Sequence, residues 1–337
     1  MLVAVALTGC SHSTCRESHH RGTPPELGAA LTLEDFERVV YGPGPGATFV
    51  PTSALEHQVI AHLVPELLEW SSSPTIEVAA LTAMREQANA AGFRIALWTV
   101  SGERYIALLE AEDKARGAGA YIFRIGPKTG GPVLVLEAPH HYYDVGTGTL
   151  AAQLFFSPKR GARPRALFTN TIHRYQRAPG DKGKRKDNPA DVAHNREHAF
   201  SVATQAFAIA AEQARVIQLH GFGQRLDGDG DGDGDPGPIA VVVSAGDSDG
   251  SSPWSGAVAS AIAKMLGDGM SGPRDLGVKR YPEDTQVLGA TTNVQGQLLR
   301  RLGPDRFVHV EMSAEFRGRL ARDAELRGRL AAALFDP

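Results

Sequence analysis

Four apolar runs in the chain end on side chains able to do chemistry. Val133-Leu134-Val135-Leu136 leads into Glu137-Ala138-Pro139-His140-His141-Tyr142-Tyr143-Asp144, where His141 and Asp144 are three apart. On a turn or a first helical turn that spacing brings an imidazole and a carboxylate to one side, where they can share a metal ion. His140 with Asp144, four apart, is the competing pair. Ala166-Leu167-Phe168 runs into Thr169-Asn170-Thr171-Ile172-His173-Arg174, and Val216-Ile217-Gln218-Leu219 ends in His220, beside a Gly221 that admits close approach. Phe307-Val308-His309-Val310 delivers Glu311. Two histidines and one carboxylate with an open fourth position make a catalytic rather than a structural zinc site. Such an ion lowers the pKa of bound water toward about 7 and polarises a carbonyl oxygen. A further carboxylate must then carry the proton from water to the leaving amine, the role expected of Glu311. An arginine to hold a substrate carboxylate bidentately is available in Arg174.

The elements that must position these groups follow from periodicity. From Leu31 to about Ala91 the spacing is helical: Leu33, Phe36, Val39 and Val40 share a face, and 54–69 and 76–90 repeat the pattern. From Phe93 the period shortens, and 93–100, 104–109, 120–125 and 133–136 read as strands paired as hairpins. Beyond them the order is strand 166–169, helix 195–214, strands 215–219 and 239–244, helix 254–266, strand 307–311 and helix 313–334. That alternation predicts an α/β fold with a mixed, largely parallel twisted sheet flanked by helices on both faces. Ligands collect at the carboxyl ends of strands in such sheets, which is where the polar residues above lie.

A His-x-x-acid motif after a strand, a lone histidine after a later strand and a glutamate closing a strand near the C-terminus resemble the zinc carboxypeptidase superfamily. The resemblance extends over residues 93–334 and includes compact offshoots such as poly-γ-glutamate hydrolases and the N-formylglutamate amidohydrolase and succinylglutamate desuccinylase type. It implies His141, Asp144 and His220 as zinc ligands and Glu311 as general base. The family's Asn-Arg pair, which grips a substrate carboxylate, matches Asn195-Arg196, leaving Arg174 and Arg196 as rival clamps. This chain has Asp144 where the peptidases have Glu, and its short gap from Asp144 to His220 favours the compact offshoots.

Other polar groups are expected around that centre. Asp191 and His194, in the stretch before helix 195–214, are placed to orient a ligand, although helix-start polarity with Asn195 capping explains the same residues. His173, Asn293 and Gln295 are candidates to line the substrate pocket. His309 reads as a core residue or a support behind a ligand rather than a ligand, and Glu315, Arg317, Arg319, Arg322 and Glu325 as the solvated face of the last helix. The basic residues from Lys159 to Lys186 form a solvated loop or a rim attracting anions. Asp227 to Asp235 starts like a calcium loop but has Pro238 at the twelfth position, so it reads as an acidic insertion. Gly246-Asp247-Ser248-Asp249-Gly250 has the spacing of a serine-hydrolase elbow in the context of a polar strand-to-helix loop. No phosphate-binding Gly-x-x-x-x-Gly-Lys motif occurs, and Gly267 to Gly272 follows a helix where a dinucleotide site needs a strand.

Composition narrows the partners. In 337 residues, 35 Lys and Arg against 38 Asp and Glu leave a net charge of −3, with no global pull toward nucleic acid. No apolar run is long enough to span a bilayer. Both cysteines lie in the first fifteen residues, so thiol chemistry is absent from the core. Leu7-Thr8-Gly9-Cys10 resembles the lipobox of bacterial lipoproteins, with Cys10 the lipidated residue and the lipid as the only link to a membrane of the cell envelope. The expected organisation is a signal at 1–10, a tether at 11–30, a helical lead-in at 31–91 and a catalytic α/β domain at 92–337. The expected function is zinc-dependent hydrolysis of an amide bond near a carboxylate, in a peptide, a γ-glutamyl polymer or a cell-wall fragment. The alternative is a surface lipoprotein that binds a ligand on the same scaffold without turnover.

Overall fold

A computed structural model describes residues 29–42, 48–73, 78–111, 116–127, 130–157, 162–177, 188–223, 239–267 and 277–337. Cys10, most of the tether, the Asp-Gly loop at 227–235 and the basic residues 159–160 and 182–186 lie outside the described residues.

The last two residues of the expected tether form a short strand, β1 (Ala29–Ala30), and the lead-in then gives α1 (Leu33–Tyr41), α2 (Ala54–Trp70) and α3 (Val78–Ala90). Both α1 and α2 start at capping boxes, Thr32 with Asp35 and Ser53 with Glu56, which satisfy backbone N–H groups the first turn leaves orphaned. The strands β2 (Phe93–Val100) and β3 (Glu103–Glu110) are joined by the two-residue turn Ser101-Gly102, which turns the chain straight back and makes the pair antiparallel. Then follow β4 (Ala120–Arg124), β5 (Leu134–Ala138), α4 (Thr147–Phe155), β6 (Ala166–Thr169), α5 (Ala199–Ala210), β7 (Arg215–Phe222), β8 (Ile239–Ser244), α6 (Pro253–Gly267), β9 (Gly277–Tyr281), α7 (Val294–Leu302), β10 (Phe307–Ser313), α8 (Ala314–Arg322) and α9 (Ala324–Phe335).

All the described strands join one sheet in the order β1-β2-β3-β4-β6-β5-β7-β10-β8-β9. The fold is α/β, but the sheet is mixed rather than largely parallel. Antiparallel pairing holds from β2 through β3 and β4 to β6 and again between β10 and β8. Parallel pairing binds β6-β5-β7-β10 at the centre and the edge pairs β1-β2 and β8-β9. Each sequential parallel pair is joined by a helical crossover, α4 from β5 to β6, α6 from β8 to β9 and α1 to α3 from β1 to β2.

Strand alternation divides the apolar side chains between two cores, one on each face. Ile217, Leu219, Val308, Val310 and Leu136 meet α1, α4, α6, α8 and α9. Val135, Phe168, Val216 and Phe307 meet α2, α3, α5 and Leu299 of α7. The lead-in helices therefore cover both faces of the sheet. Phe36 of α1, fully buried, packs edge-on against Trp98, Tyr41 and Phe156, contacts worth about 0.5–1.5 kcal/mol each beyond area burial.

Two expected helices differ in extent. The helix expected from residue 195 starts at Ala199, because His198 caps it, its ring nitrogen accepting from the Phe200 N–H. The final helix is broken at Asp323, whose extended backbone ends α8 and whose carboxylate caps α9 through the Leu326 N–H. Helices α4 and α7 and strand β9 were not expected from the sequence. In α4, the glycines at the N-cap and in the first turn, Gly146 and Gly148, hide the helical start; Gly148 is required because a Cβ there would lie 2.3 Å from Nδ1 of His141 and 2.6 Å from the Tyr41 hydroxyl.

Candidate metal centre

The central parallel strands place the chemistry. Glu311 of β10 stands opposite His220 of β7, and His309 opposite Gln218, so four polar side chains alternate onto one sheet face in two rows. Glu137 of β5 continues the lower row beside Gln218. Beyond β5, the His140 carbonyl accepts from the N–H groups of Tyr143 and Asp144, at 2.8 and 2.7 Å. This i to i+4 closure stacks residue 140 over residue 144.

His140, Asp144 and His220 therefore converge, with ligand atoms within 4.8 Å of one another and all three side chains buried. Nδ1 of His220 lies 3.1 Å and Nδ1 of His140 3.6 Å from the same oxygen, Oδ2 of Asp144. The opposite ring nitrogens are both spoken for. Nε2 of His140 is 2.9 Å from Oδ1 of Asp191, and Nε2 of His220 is 2.9 Å from Oε1 of Gln218. The Gln218 oxygen is held as an acceptor by Nδ2 of Asn293 at 2.6 Å, and Asn293 is itself oriented by the Gly296 N–H donating to its Oδ1. With each Nε2 held by an acceptor, each Nδ1 faces the Asp144 carboxylate and would turn its lone pair to a cation bound beside it. Such a convergence of lone pairs is what a cation requires, and carboxylate or amide partners behind ligating imidazoles are the usual means of fixing the tautomer. The donor set, two imidazoles and a carboxylate, fits zinc.

The electrostatics agree. Burial pushes His220 down to about 4, keeping it neutral. For Asp144, burial opposes ionisation, but hydrogen bonds from His140 and His220 prevail and hold it well below the usual carboxylate range. Asp191 is likewise ionised against its burial by His140, His194 and Arg174. His140 is raised: burial disfavours its charge, but its bonds to Asp144 and Asp191 outweigh that cost. Glu311 is pushed up to about 8, first by burial and then by the Asp144 charge. Its Oε2 and Nδ1 of His309 have no hydrogen-bond partner, and Nε2 of His309 lies 3.7 Å from Oε1 of Glu311. His220, His309 and Glu311 also bring ligand atoms within 4.8 Å of one another.

Several expected site residues lie elsewhere. His141, one position beyond His140, is rotated by about 100° around the turn and stacks on Tyr41 with ring centroids 3.6 Å apart. Burial drives its pKa down to about 4, and it does not reach the Asp144 carboxylate group. The imidazole beside Asp144 is that of His140. Arg174 is close by but engaged: Nε and Nη2 donate to Oδ2 of Asp191, and Nη1 is 3.3 Å from Nδ1 of His140. Its guanidinium also lies over the Tyr143 and Tyr175 rings. Arg196 is not brought to the cluster and donates to Gln297. His173 sits between Tyr143 and Tyr175, its Nδ1 accepting from the Tyr175 N–H at 3.1 Å. Asn293 and Gln295 are buried beneath the site, Gln295 donating to the Val192 carbonyl and to Ser201. They support Gln218 rather than line a pocket. Asp191 is on His140, and His194 is 3.2 Å from Asp191. Ser248 is exposed and bonds Asp249, with no histidine at its hydroxyl among the described contacts.

No family model matches the chain, and no curated protein matches its sequence. Solved structures do resemble it. A metallo-carboxypeptidase from Burkholderia cenocepacia is 13% identical, with 72% of this chain and 76% of that chain covered and a TM-score of 0.37. An aspartoacylase family protein from Mesorhizobium loti is 11% identical, with 70% and 68% covered and a TM-score of 0.36. An N-formylglutamate amidohydrolase from Ralstonia eutropha is 18% identical, with 60% and 94% covered and a TM-score of 0.35.

Sequence reading did not single out Glu137 and Gln218. Glu137 is fully buried and pushed up to about 7 by that burial, against hydrogen bonds from Thr204 at 2.6 Å and from Nε2 of Gln218 at 2.8 Å. The available signal was a polar residue two positions before each site residue inside an apolar strand, Gln218 before His220 and His309 before Glu311. Because Asp191 sets the orientation of His140, Asp191→Asn should weaken metal binding by about 10–100-fold. Competition with a chromophoric chelator measures this; unchanged affinity would remove Asp191 from the site.

Proposed function

We propose that the protein is a zinc-dependent hydrolase of an amide or peptide bond near a carboxylate, with His140, Asp144 and His220 as the metal ligands. The observation that carries this reading is the aim of two Nδ1 atoms at one carboxylate oxygen while both Nε2 atoms are tied to acceptors. When bound, a zinc ion in such a set polarises a carbonyl oxygen and acidifies water toward a pKa of about 7. Glu311 has an unpartnered carboxylate oxygen on the same sheet face and is the group to take a proton from the attacking water and hand it to the departing nitrogen. A cation nearby favours its ionised form, offsetting the burial that otherwise keeps it protonated.

The test is metal analysis of the purified protein after loading with zinc, coupled to hydrolysis of N-acyl amino acids and γ-glutamyl peptides. Stoichiometric metal with turnover supports the reading. Metal with ligand binding but no turnover favours the non-catalytic lipoprotein, and failure to take up any metal ends both the zinc and the hydrolase proposals.

The envelope location rests on Leu7-Thr8-Gly9-Cys10 alone. No helix among the described residues is long and apolar enough to cross a membrane. Cys10→Ala should abolish incorporation of labelled palmitate and release the protein from the membrane fraction; unaltered fractionation would remove the anchor.

A further inference from the structure

We propose that Glu137 is a positioning residue for the metal: it fixes the Gln218 amide with its oxygen toward His220, which reserves Nδ1 of His220 for the cation. The inference rests on the metal-ligand reading above. The sheet face that carries Val135, Val216 and Phe307 turns polar two residues further along each strand, at Glu137, Gln218 and His309. Glu137 is fully buried in a strand whose other residues are Leu134, Val135, Leu136 and Ala138, where a carboxyl costs stability that an apolar side chain would not.

Both ends of the Gln218 amide are tied. Its Nε2 donates to Oε2 of Glu137 at 2.8 Å and to Oε1 of Gln295 at 3.4 Å, while its Oε1 faces Nδ2 of Asn293 at 2.6 Å and Nε2 of His220 at 2.9 Å. The partners are themselves pinned. Nε2 of Gln295 donates to the Val192 carbonyl and to Ser201, so its oxygen is what it turns to Gln218. Oδ1 of Asn293 accepts from the Gly296 N–H and caps α7, so its Nδ2 faces Gln218.

Turning the Gln218 amide over would set oxygen against oxygen at Glu137 and N–H against N–H at Asn293. Glu137 gives the shorter of the two acceptor contacts, and it can accept in either protonation state. Its Oε1 is 2.6 Å from the Thr204 hydroxyl, whose own hydrogen has the Phe200 carbonyl at 3.1 Å. A proton on Oε1 would thus pass its hydrogen bond to Thr204 and leave Oε2 to accept from Gln218. On His220, a neutral imidazole carries one hydrogen, and two acceptors compete for it: Oε1 of Gln218 at Nε2 and Oδ2 of Asp144 at Nδ1. The fixed Gln218 oxygen stabilises the form with hydrogen on Nε2, whose Nδ1 lone pair is open to a cation beside Asp144.

The experiment measures zinc affinity of the full chain by chelator competition, and exchange of the His220 Nε2 hydrogen in imidazole NMR spectra of the zinc-loaded protein. Glu137→Leu should weaken zinc binding by roughly tenfold to a hundredfold and speed that exchange. Glu137→Gln should behave as wild type, its amide oxygen accepting from Gln218 and its nitrogen donating to Thr204. Wild-type affinity or unaltered exchange in folded Glu137→Leu, or a Glu137→Gln as weak as Glu137→Leu, would make Glu137 a core support and overturn the proposal. If Glu137→Leu does not fold, Asn293→Asp takes its place: it keeps an oxygen to cap α7 but turns an acceptor toward the Gln218 oxygen. Weakened zinc binding then supports the assignment, and undiminished affinity overturns it. If the wild type binds no zinc, the metal reading fails separately, and spectra of the metal-free protein decide what holds His220. Hydrogen on Nε2 in wild type with a shift toward Nδ1 in the variant supports the assignment, and identical spectra overturn it.

Discussion

His140→Ala should strip the protein of zinc, while His141→Ala should leave its zinc content intact. The two residues are neighbours, and their sequence context hardly separates them, but their surroundings do. Removing His140 deletes a lone pair aimed at Asp144 and leaves Asp191 and Arg174 facing a void. The loss should exceed the 10–100-fold that attends removal of an outer partner, bringing metal after dialysis to a small fraction of an equivalent. Removing His141 instead deletes a ring stacked on Tyr41, with a stability cost of about 0.5–1.5 kcal/mol beyond the buried area. Elemental analysis and thermal unfolding on both variants separate these outcomes. Proton and cation compete for Nδ1 of His140, whose pKa is raised above the usual histidine value by its bonds to Asp144 and Asp191 against the effect of burial. The apparent zinc affinity should therefore start to weaken, as pH falls, already above the ordinary histidine pKa of about 6.5, which chelator competition across pH measures. Zinc lost from His141→Ala and kept by His140→Ala would reverse the assignment.

Glu311→Gln should lower kcat by about 10²–10⁴-fold with zinc retained, since the amide keeps the shape but cannot accept a proton. At 1.36 kcal/mol per tenfold, that is about 3–5 kcal/mol of barrier. The same substitution has a second readout in the metal-free protein. The folded pKa of Glu311 is raised to about 8, first by burial and then by Asp144, so the folded state holds the proton more tightly than the unfolded chain, where the value is near 4.5. Its favourable contribution is complete below the unfolded pKa and is lost as pH rises from there through about 8. That loss is on the order of a few kcal/mol. The metal-free wild type should thus lose more melting temperature between pH 5 and pH 8 than Glu311→Gln does. Parallel melting profiles would show that the carboxyl is not held as described, and an undiminished kcat would end its role in proton transfer.

Much of the site was legible because buried strands announce themselves. Val216-Ile217-Gln218-Leu219 and Phe307-Val308 are apolar runs whose ends must meet solvent or a ligand, so a histidine or glutamate there stands out. That His220 and Glu311 face each other follows from the pairing of β7 with β10 in parallel register. Local spacing could not choose between His140 and His141, because both satisfy a same-side relation with Asp144 and the choice depends on how the turn leaves β5. Arg174 was recognised by residue type, but the carboxylate that occupies it comes from a distant loop. Arg317 reads from the sequence as part of a solvated helix face, whereas the structure half-buries it against the carbonyls of Val145, Phe222 and Met312.

The amino-acid sequence by itself determined an α/β class, the rough extents of the central strands and the presence of imidazoles and carboxylates at their carboxyl ends. Each of these is a one-dimensional property, written in the period of apolar residues along a single segment. The tertiary structure decided the mixed direction of the sheet and the histidine that joins Asp144 and His220. Those outcomes depend on contacts between segments far apart in the chain, where a rotation of one residue about a turn exchanges one side chain for its neighbour.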